Sequence, residues 1–420
     1  MKYILLLLLF LISVAVIVAY KTNAITGYQI LPATQYDWPQ VQHDPQRTGK
    51  ANENLGTNFR VVWKYKFHPE RVYPQTQAII YSGRVFVGTE SGNLYAFDAA
   101  NGNVLWVYNA GCPILNSVGV ANGNTRTMVY FGCMDGAVYA VGASDGRLVW
   151  RNQLSKVGFS TAPVIADNKV MLGGRDGIFY ALDLNDGHVI WQYNAGSPIL
   201  QTAAWSNNKV FFGTMDLYFY ALNSNNGQLL WKSNKLTGYI IKDYWPVVVE
   251  GNPSYVFVRT TSYTTNFYAF NADTGQQVST SQLPQEPKIV MNGAMAPPCV
   301  IDSTRIVIPA LLPGEIYRTG WGTLNLQTWS VNSFGGQGGN QDENMAVSCS
   351  QNLVLAMHVQ EMNAQFTGAY NLNTGSWIGI SPASTFEMSS NTQGGGTNPA
   401  SISNGMFYHI VYHELIARRG

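Results

Sequence analysis

The sequence has little charge. Only 12% of its 420 residues are Asp, Glu, Lys or Arg, and Lys+Arg 25 against Asp+Glu 24 leaves a formal net charge of +1. A chain so close to neutral has no electrostatic basis for binding nucleic acid, and no nucleic-acid partner is expected. Walker loops and Cys-x-x-Cys pairs are also absent from the sequence, so it lacks the usual signs of nucleotide hydrolysis and thiol exchange.

Residues 1–24 are predicted to lie outside the fold. An unbroken apolar run from Tyr3 to Tyr20 is followed by a polar patch that ends in Ala24. This arrangement is typical of a secretory signal peptide cut after Ala24, and an uncleaved N-terminal membrane anchor is the alternative. In both cases we expect the remaining chain outside the cytoplasm, in the periplasm, secreted or on the cell surface.

The rest of the chain is rich in turns and aromatic rings, and one pattern returns through it. Glycines number 41 and aromatic residues make up 13%, a mixture typical of β-structure. The copies read "GNLYAFDAANGNVLW" (92–106), "DGAVYAVGASDGRLVW" (135–150), "DGIFYALDLNDGHVIW" (176–191) and "DLYFYALNSNNGQLLW" (216–231). Copies spaced roughly 40 to 50 residues apart indicate propeller blades of four strands each. Weaker copies follow, which gives eight units, with the sixth ("GWGTLNLQTW", 320–329) and the eighth degenerate.

Each copy predicts the local structure of a blade. A hairpin turn with Gly separates strands rich in β-branched and aromatic residues, and the last strand ends in Trp. A Trp that recurs once per unit is expected to act as a wedge between neighbouring blades, with its N–H needing one partner.

The two ends of the repeat region predict how the ring closes. The eighth unit stops at Gly420 before its Trp strand, whereas residues 60–67 match that strand and carry Trp63. We therefore predict an all-β, eight-bladed propeller over residues 60–420, with residues 60–67 beside the strand containing Leu415 to Arg418 and a lead-in segment at 25–59. A fragment cut within a repeat is the alternative.

These units resemble the pyrroloquinoline-quinone-type (PQQ-like) repeat, which places the chain in the quinoprotein alcohol dehydrogenase-like superfamily. The shared features are the Tyr-Ala-Leu-Asp-like strand, the Thr-Gly or Asn-Gly turn and the closing Trp. "WPQVQHDPQRTG" (38–49) is similar to the lead-in of such propellers. The resemblance implies the fold. It leaves two functions open, because the family includes quinone-dependent dehydrogenases and propellers that only bind.

The resemblance to the dehydrogenases of this family implies two features of the cofactor site that the sequence does not show. They carry two adjacent cysteines over the cofactor and a calcium ion held by Glu, Asn and Asp, whereas the four cysteines here are all separate. Glu343 and Asn344 are weak candidates for metal ligands. No catalytic or cofactor-binding residue is therefore predicted, and PQQ with calcium is kept as the alternative.

Two other motifs are expected to be chance matches. "GASDG" (142–146) fits a nucleophile elbow, but Ser144 falls in the register of a hairpin turn. His409 and His413 have the spacing of metal ligands on a helix, whereas on a strand they lie too far apart for one ion.

Candidate binding residues lie where propellers bind, at the channel mouth and its loops. The charged candidates are Arg71, Arg175, Lys242 and Asp243. Short polar side chains recur at the starts of inner strands: Gln75, Thr76, Ser117, Ser160 and Thr202. They suit a water-filled channel or a polar ligand, and they equally suit the satisfaction of strand ends.

The cysteines of an exported chain are expected to form disulfides. Cys112 precedes an inner strand and Cys133 ends the next strand of the same hairpin, so both should lie at one end of a blade. We predict a Cys112–Cys133 bond. For Cys299 and Cys349 a bond is possible, but two buried thiols are favoured.

The sequence thus favours a non-catalytic extracytoplasmic propeller, a monomer that binds a protein or glycan at the channel mouth and touches membrane only through an N-terminal anchor. A PQQ-dependent dehydrogenase of alcohols or sugars is the alternative.

Overall fold

The computed structural model describes residues 29–242, 244–261, 266–278, 298–311, 319–334, 348–361, 364–378, 398–411 and 413–420. All of the regular secondary structure in these residues is β-strand. The described residues include no helix long and apolar enough to cross a membrane. The strands form eight sheets that follow one another around a ring. The predicted all-β, eight-bladed propeller is confirmed.

The first four blades have four antiparallel strands each, ordered from the channel outward. Blade 1 consists of Ile79–Tyr81, Arg84–Gly88, Asn93–Asp98 and Val104–Asn109; blade 2 of Gly119–Asn122, Thr127–Gly132, Ala137–Gly142 and Leu148–Gln153; blade 3 of Val164–Ala166, Lys169–Gly173, Ile178–Asp183 and Val189–Asn194; and blade 4 of Ala204–Ser206, Lys209–Gly213, Phe219–Asn223 and Leu229–Lys232.

The later blades follow the same plan. Blade 5 consists of Val247–Val249, Tyr255–Thr260 and Asn266–Asn271; blade 6 of Cys299–Asp302, Arg305–Leu311, Thr319–Asn325 and Val331–Phe334; blade 7 of Ser348–Cys349, Leu353–Glu361, Ala364–Asn371 and Ser376–Ile378; and blade 8 of Ser401–Ser403, Met406–Val411, Glu414–Arg419 and Arg60–Lys66. In the described part of blade 5, Gln277 bridges to Phe270 at the place of the fourth strand.

The ring closes as predicted. The N-terminal strand Arg60–Lys66 pairs antiparallel with Glu414–Arg419, with Trp63 opposite Ala417. Blade 8 therefore takes its outer strand from one end of the repeat region and its other three strands from the other end. The N-terminal strand therefore covers the edge of Glu414–Arg419, which would otherwise be unpaired.

Antiparallel order gives the disc two faces with different loops. One face carries the turns between the second and third strands and the links from each blade to the next, and we call it the connection face. We call lead-in face the opposite face, with the first-to-second and third-to-outer turns. Residues 29–37 lie on the lead-in face, where Ser82 N–H donates to Asp37 at 2.9 Å.

The recurring Trp of blades 8 and 1 to 4 clasps its blade to the next one. Its indole N–H donates to a backbone carbonyl at the third-to-outer turn of the following blade. The pairs are Trp63 to Ala99, Trp106 to Ala143, Trp150 to Leu184, Trp191 to Ser224 and Trp231 to Ala272. Each ring also covers the glycine of that turn: a Cβ on Gly187 would lie 2.5 Å from the ring of Trp150. The glycine is therefore needed for its left-handed backbone and for close approach.

The junction between blades 5 and 6 inverts this clasp. Val278 stands opposite Ala269, where the earlier blades have Trp, and Trp329 occupies the turn position of the glycine with a φ of 57°. The Trp329 ring packs edge-on against Tyr255 of blade 5, with ring centroids 5.2 Å apart. The large ring has moved from one side of the junction to the other.

Two disulfides are present. Cys112, in the link to blade 2, is bonded to Cys133 in the second-to-third turn of that blade. Cys299 and Cys349 are also bonded, so the expectation of two buried thiols there is wrong. These two residues lie on the inner strands of neighbouring blades with Cα atoms 6.2 Å apart, a separation suited to a disulfide.

The lead-in lies across the channel and satisfies the free edges of the inner strands. Seven backbone N–H groups of these strands donate to its oxygens in chain order. They are Ile80 to Trp38, Val120 to Pro39, Ile165 to the Gln40 side chain, Trp205 to Pro45, Val248 to Gln46, Val300 to Thr48 and Cys349 to Gly49. On blade 8, Gly405 N–H donates to Glu53. One segment thus bonds to all eight blades and supplies the partners that buried N–H groups require.

Candidate functional site

Arg47 is the charged side chain at the centre of the lead-in crossing. It is fully buried, and its guanidinium donates to the carbonyls of Val41, Pro163 and Ala203 at 2.9, 3.0 and 2.9 Å. Burial lowers the pKa of Arg47 to about 9, while the nearby Asp44 acts in the opposite direction. Since its donors point at carbonyls that precede the inner strands of blades 3 and 4, Arg47 fixes the lead-in to those blades.

Buried polar atoms flank the lead-in near Arg47. Both amide atoms of Gln42, the Thr76 hydroxyl and the Trp245 indole N–H have no hydrogen-bond partner among the described residues. The Gln42 backbone N–H donates to Gln77, the neighbour of Thr76, at 2.7 Å, and Trp245 packs in the same cluster as Val41. Buried groups of this kind mark positions where water or a small polar ligand is held in proteins.

The hydroxyls at the inner-strand starts bond neighbouring blades together. Ser117 accepts from Gln77 N–H at 2.7 Å, and Thr202 accepts from Ala162 N–H at 2.9 Å. Further links of this kind run from Ser348 to Ala400 and from Ser401 to Ala78. Of the two predicted roles, satisfaction of strand ends is the one that Ser117 and Thr202 perform.

The predicted charged candidates lie on the connection face. Arg71 precedes blade 1, Arg175 lies in the second-to-third turn of blade 3, and Lys242 precedes blade 5; all three side chains are exposed. Asp243 lies outside the described residues, as do Glu343 and Asn344. Lys242 bridges to Leu200 in the link after blade 3, and Ile199 of that link bonds to Gly174 beside Arg175. Arg71 lies before blade 1, two blades away from Arg175 in the other direction.

A mixed apolar and basic surface surrounds Arg175 and Lys242. We call it the docking arc: the exposed residues Lys156, Val157, Arg175, Met215, Lys235, Tyr239 and Lys242 on blades 3 to 5. Backbone contacts make it continuous, because Arg175 bonds to Gly158, Met215 bonds to Pro198, and Lys242 bridges to Leu200. Tyr239 is 60% exposed, the largest value among the exposed large apolar side chains of the described residues.

The motifs expected to be chance matches lie in structural positions. Ser144 is in the turn between the third and outer strands of blade 2. His409 is buried in a strand of blade 8, whereas His413 lies in the following turn.

One further group of side chains in the described residues could hold a metal ion by distance. Asp183, Asp186 and His188 place their ligand atoms within 4.8 Å of one another. Asp183 accepts the backbone N–H groups of Asn185 and Asp186, and Asp186 contacts His188 at 2.6 Å. These bonds are those of the repeated turn, so the cluster needs no ion to explain it.

The fold defines the class of the protein: an eight-bladed propeller built from PQQ-like repeats. The family model described as outer membrane protein assembly factor BamB matches residues 57–117 and 115–296. These segments make up more than half of the chain, and the chain belongs to this PQQ-like repeat family.

The sequence relatives of this chain include quinone-dependent alcohol dehydrogenases. A 1-butanol dehydrogenase (quinone) of Thauera butanivorans is 26% identical over 187 residues, which are 37% of this chain and 29% of that enzyme. The alcohol dehydrogenase (quinone) dehydrogenase subunit of Gluconobacter oxydans is 33% identical over 29% of this chain and 18% of its own length. The chain thus spans less than a third of these relatives.

Two solved structures illustrate the shared architecture. BamB from Moraxella catarrhalis superposes with a TM-score of 0.59 and 14% identity, over 86% of this chain and 100% of that one. Quinohemoprotein alcohol dehydrogenase from Comamonas testosteroni superposes with a TM-score of 0.67 and 13% identity, over 92% and 81%. At such identities the likeness concerns the fold alone.

The described axis residues do not fit a quinone with calcium. Calcium takes several oxygen ligands, carboxylates above all. The inner-strand starts carry Ser, Thr, Gln and Asn instead, and Ser117 and Thr202 are engaged between blades. The donors of Arg47 are directed at carbonyls.

Sequence reasoning missed Arg47 and the course of the lead-in. The sequence of residues 38–49 predicts a lead-in but not its position relative to the channel. No pattern in the segment indicates which oxygen meets which blade, because its partners are backbone groups. The isolated Arg47 between polar residues was the one available signal.

Proposed function

We propose that this protein is a non-catalytic extracytoplasmic propeller that binds another molecule, in the first place a protein, at the docking arc. The observation that carries the proposal is the combination of exposed Val157, Met215 and Tyr239 with surrounding cations on three adjacent blades. Protein interfaces combine apolar and aromatic anchors with a charged rim. Among the described residues the arc has four exposed cations, Lys156, Arg175, Lys235 and Lys242, against one exposed carboxylate beside Met215, Asp216, and this excess favours an acidic partner.

The channel supports a binding role over a catalytic one. The lead-in lies across it, the matched hydroxyls link blades, and the described residues of the axis do not fit the quinone and its ion. The two disulfides are consistent with an oxidising compartment, hence with a place outside the cytoplasm.

Site-specific photo-crosslinking in the producing cells tests the docking arc. A crosslinking residue at Val157, Met215 or Tyr239 should capture one partner species, whereas the exposed lead-in-face positions Asn101 and Asn226 should capture none. If all five positions capture the same proteins, the arc has no special role. A glycan partner would give no protein adduct and would instead retain the chain on an immobilised polysaccharide.

Charge reversal locates the rim of the site. Arg175→Glu and Lys242→Glu should each reduce capture at Tyr239, because they oppose an acidic partner. Arg71→Glu is the matched control: it reverses an exposed arginine on the same face, two blades away from Arg175. Equal losses for all three variants would indicate a general charge effect.

A PQQ-dependent dehydrogenase of alcohols or sugars is the second candidate, because the relatives that align with blades of this chain are quinone-dependent enzymes. Reconstitution of the full chain with PQQ and calcium, followed by dye reduction with alcohols and aldoses, decides between the two. The binding proposal predicts no turnover. Stoichiometric cofactor binding with turnover would overturn it, and Glu343 and Asn344 would be the first residues to vary.

A further inference from the structure

Large exposed apolar side chains in the described residues form two groups. Three belong to the docking arc. The others lie on the outer strands of five successive blades, 8 and 1 to 4, and on the lead-in. We call this second group the rim arc: Ile30, Val61, Val62, Val104, Leu105, Val107, Leu148, Val189, Ile190, Leu229 and Leu230. Single exposed apolar residues need no explanation, but exposed apolar side chains that recur at the same strand position on five successive blades do.

A backbone irregularity creates the rim arc. In each of these five blades the register between the third and outer strands shifts beside the Trp, and the residue before the Trp is the bulged one. A bulge leaves this residue unpaired and turns the strand. Both residues before the Trp are exposed near the lead-in face in blades 8, 1, 3 and 4, whereas in blade 2 Leu148 is exposed and Val149 is half-buried. At the matching positions Gln277 of blade 5 is exposed and Val331 of blade 6 is half-buried.

Cations occur on three of these five outer strands. RVVWKYK, LVWRNQ and LLWK carry lysines and arginines, VLWVYN and VIWQYN carry none, and none of the five contains Asp or Glu. Three of the nearby cations have acidic partners: Lys66 with Glu414 at 3.2 Å, Arg151 with Asp135 at 2.8 Å and Arg147 with Asp145 at 3.8 Å. Arg60 and Arg147 directly precede the apolar pairs of blades 8 and 2. An apolar belt with flanking cations complements an interface whose core is hydrocarbon and whose surface is anionic.

The described part of the lead-in begins over blade 2, at the start of its second strand. Gln29 and Leu31 bond to Thr127 of blade 2, and Ile30 between them is 52% exposed. Blade 2 is the central blade of the series 8, 1, 2, 3 and 4. The apolar run that ends at Tyr20 is separated from Gln29 by residues 21–28, a stretch that reaches at most roughly 30 Å when extended. A run of that kind placed in a bilayer holds this edge of the disc close to the membrane surface.

We propose that the rim arc rests on a lipid bilayer, with blade 2 lowest and blade 6, opposite in the ring, raised away from it. Where the run is retained it tethers the same edge, and where it is cleaved the rim arc carries the contact alone. The orientation turns the lead-in face toward the membrane and leaves the connection face open to a partner. The proposal is independent of what the docking arc binds.

Spin labelling of the full chain tests the contact. The four native cysteines are bonded in pairs, so a single introduced cysteine is the one free thiol. A nitroxide on Leu148→Cys of blade 2 is compared with one on Asn332→Cys of blade 6, in vesicles of phosphatidylcholine and phosphatidylglycerol. We expect the label at 148 to become accessible to oxygen and protected from an aqueous nickel complex, and the label at 332 to remain exposed to nickel. Equal access of the nickel complex to both labels would mean that the rim arc does not touch the bilayer, even if the N-terminal run holds the protein there. That result would overturn the proposal.

A second measurement uses unlabelled variants. In the protein without residues 1–24, where the rim arc carries the contact alone, replacing Leu105, Leu148 and Ile190 by Ser should weaken sedimentation with the same vesicles by at least about tenfold, since binding scales with buried apolar area. Ser at Val157, Met215 and Tyr239 is the matched control and should leave it unchanged. Because all six side chains are exposed, both variants should fold, which a thermal unfolding curve checks. Protection of position 148 in lipid-free solution would instead assign the rim arc to a protein contact, against the proposal.

Discussion

The ring has two series of junctions between blades. The first series runs from blade 8 through blades 1 to 4 to blade 5, and the second runs from blade 5 through blades 6 and 7 to blade 8. The two series join neighbouring blades with different side chains. In the first series a Trp on each outer strand bonds to the next blade and covers a turn glycine. In the second, Trp329 packs in the reverse direction across one junction, and the Cys299–Cys349 bond joins the inner strands of blades 6 and 7. A clasp at the rim acts between two blades, whereas an inner disulfide also restricts the unfolded chain. The difference indicates that a propeller can lose its repeat motif where a covalent or inverted contact replaces it.

Removal of the inner disulfide should give the largest effect. The Cys299–Cys349 bond closes 50 residues and the Cys112–Cys133 bond closes 21. On the chain-entropy estimate these bonds contribute about 4 and about 3 kcal/mol. Cys299→Ala with Cys349→Ala should therefore lower the free energy of unfolding more than Cys112→Ala with Cys133→Ala, measured by denaturant unfolding. The reverse order would mean that the blade 6–7 junction does not depend on its covalent bond.

The rim clasp should come next. Trp191 is 8% exposed, and Trp191→Ala removes its ring from the junction of blades 3 and 4 together with its bond to Ser224. We expect a loss of about 3 to 4 kcal/mol, the range for large aromatic deletions. Trp329→Ala is the comparison: its ring is only half-buried and buries less apolar area, so the loss should be smaller, about 1 to 2 kcal/mol. Similar losses would make the inverted clasp equivalent to the regular one.

The repeats explain how much of this the sequence could predict. A periodic Trp, a turn Gly and a strand pattern are local signals, so the blade number, the clasps and the closing strand at Trp63 follow from them. The Cys299–Cys349 pairing could not be read in the same way, because it depends on two distant strands becoming neighbours where the motif is lost. The lead-in crossing depends on backbone oxygens, which carry no residue identity. The sequence indicates the docking arc only through Arg175 and Lys242, because its apolar residues lie in links and a turn outside the repeated pattern.

The turn glycine of the regular clasp meets two requirements, a left-handed backbone and room for the Trp ring, and two variants can measure them separately. Gly187 has a φ of 74° and lies under the Trp150 ring, whereas Gly83 has a φ of 71° with nothing within 4 Å of its added Cβ. Gly83→Ala should cost only the left-handed backbone, about 1 kcal/mol. Gly187→Ala must also displace the ring and should cost about 2 kcal/mol more. Thermal unfolding of the two variants measures the difference, and equal costs would show that the ring moves aside freely.

The smallest effect concerns the closing blade, where the two series meet. The pKa of His409 lies well below its usual value because burial disfavours the charged ring, and Arg418 and Lys64 add repulsion. In the unfolded chain the ring takes up a proton near pH 6.5, whereas the folded ring stays neutral. The depressed pKa therefore gives full stability above about pH 6.5, and that stability is lost as the pH falls from there toward the folded pKa.

Below about pH 6.5 this histidine should contribute a slope of up to about 1.4 kcal/mol per pH unit to the free energy of unfolding. His409→Leu should remove that contribution, because leucine keeps the site apolar and takes up no proton. His188→Gln is the control, since His188 is exposed and its loss should leave the slope unchanged. Denaturant unfolding between mildly acidic and neutral pH measures all three proteins. If His409→Leu retains the full slope, proton uptake at the closing blade is not its source, and the acid sensitivity belongs to another part of the ring.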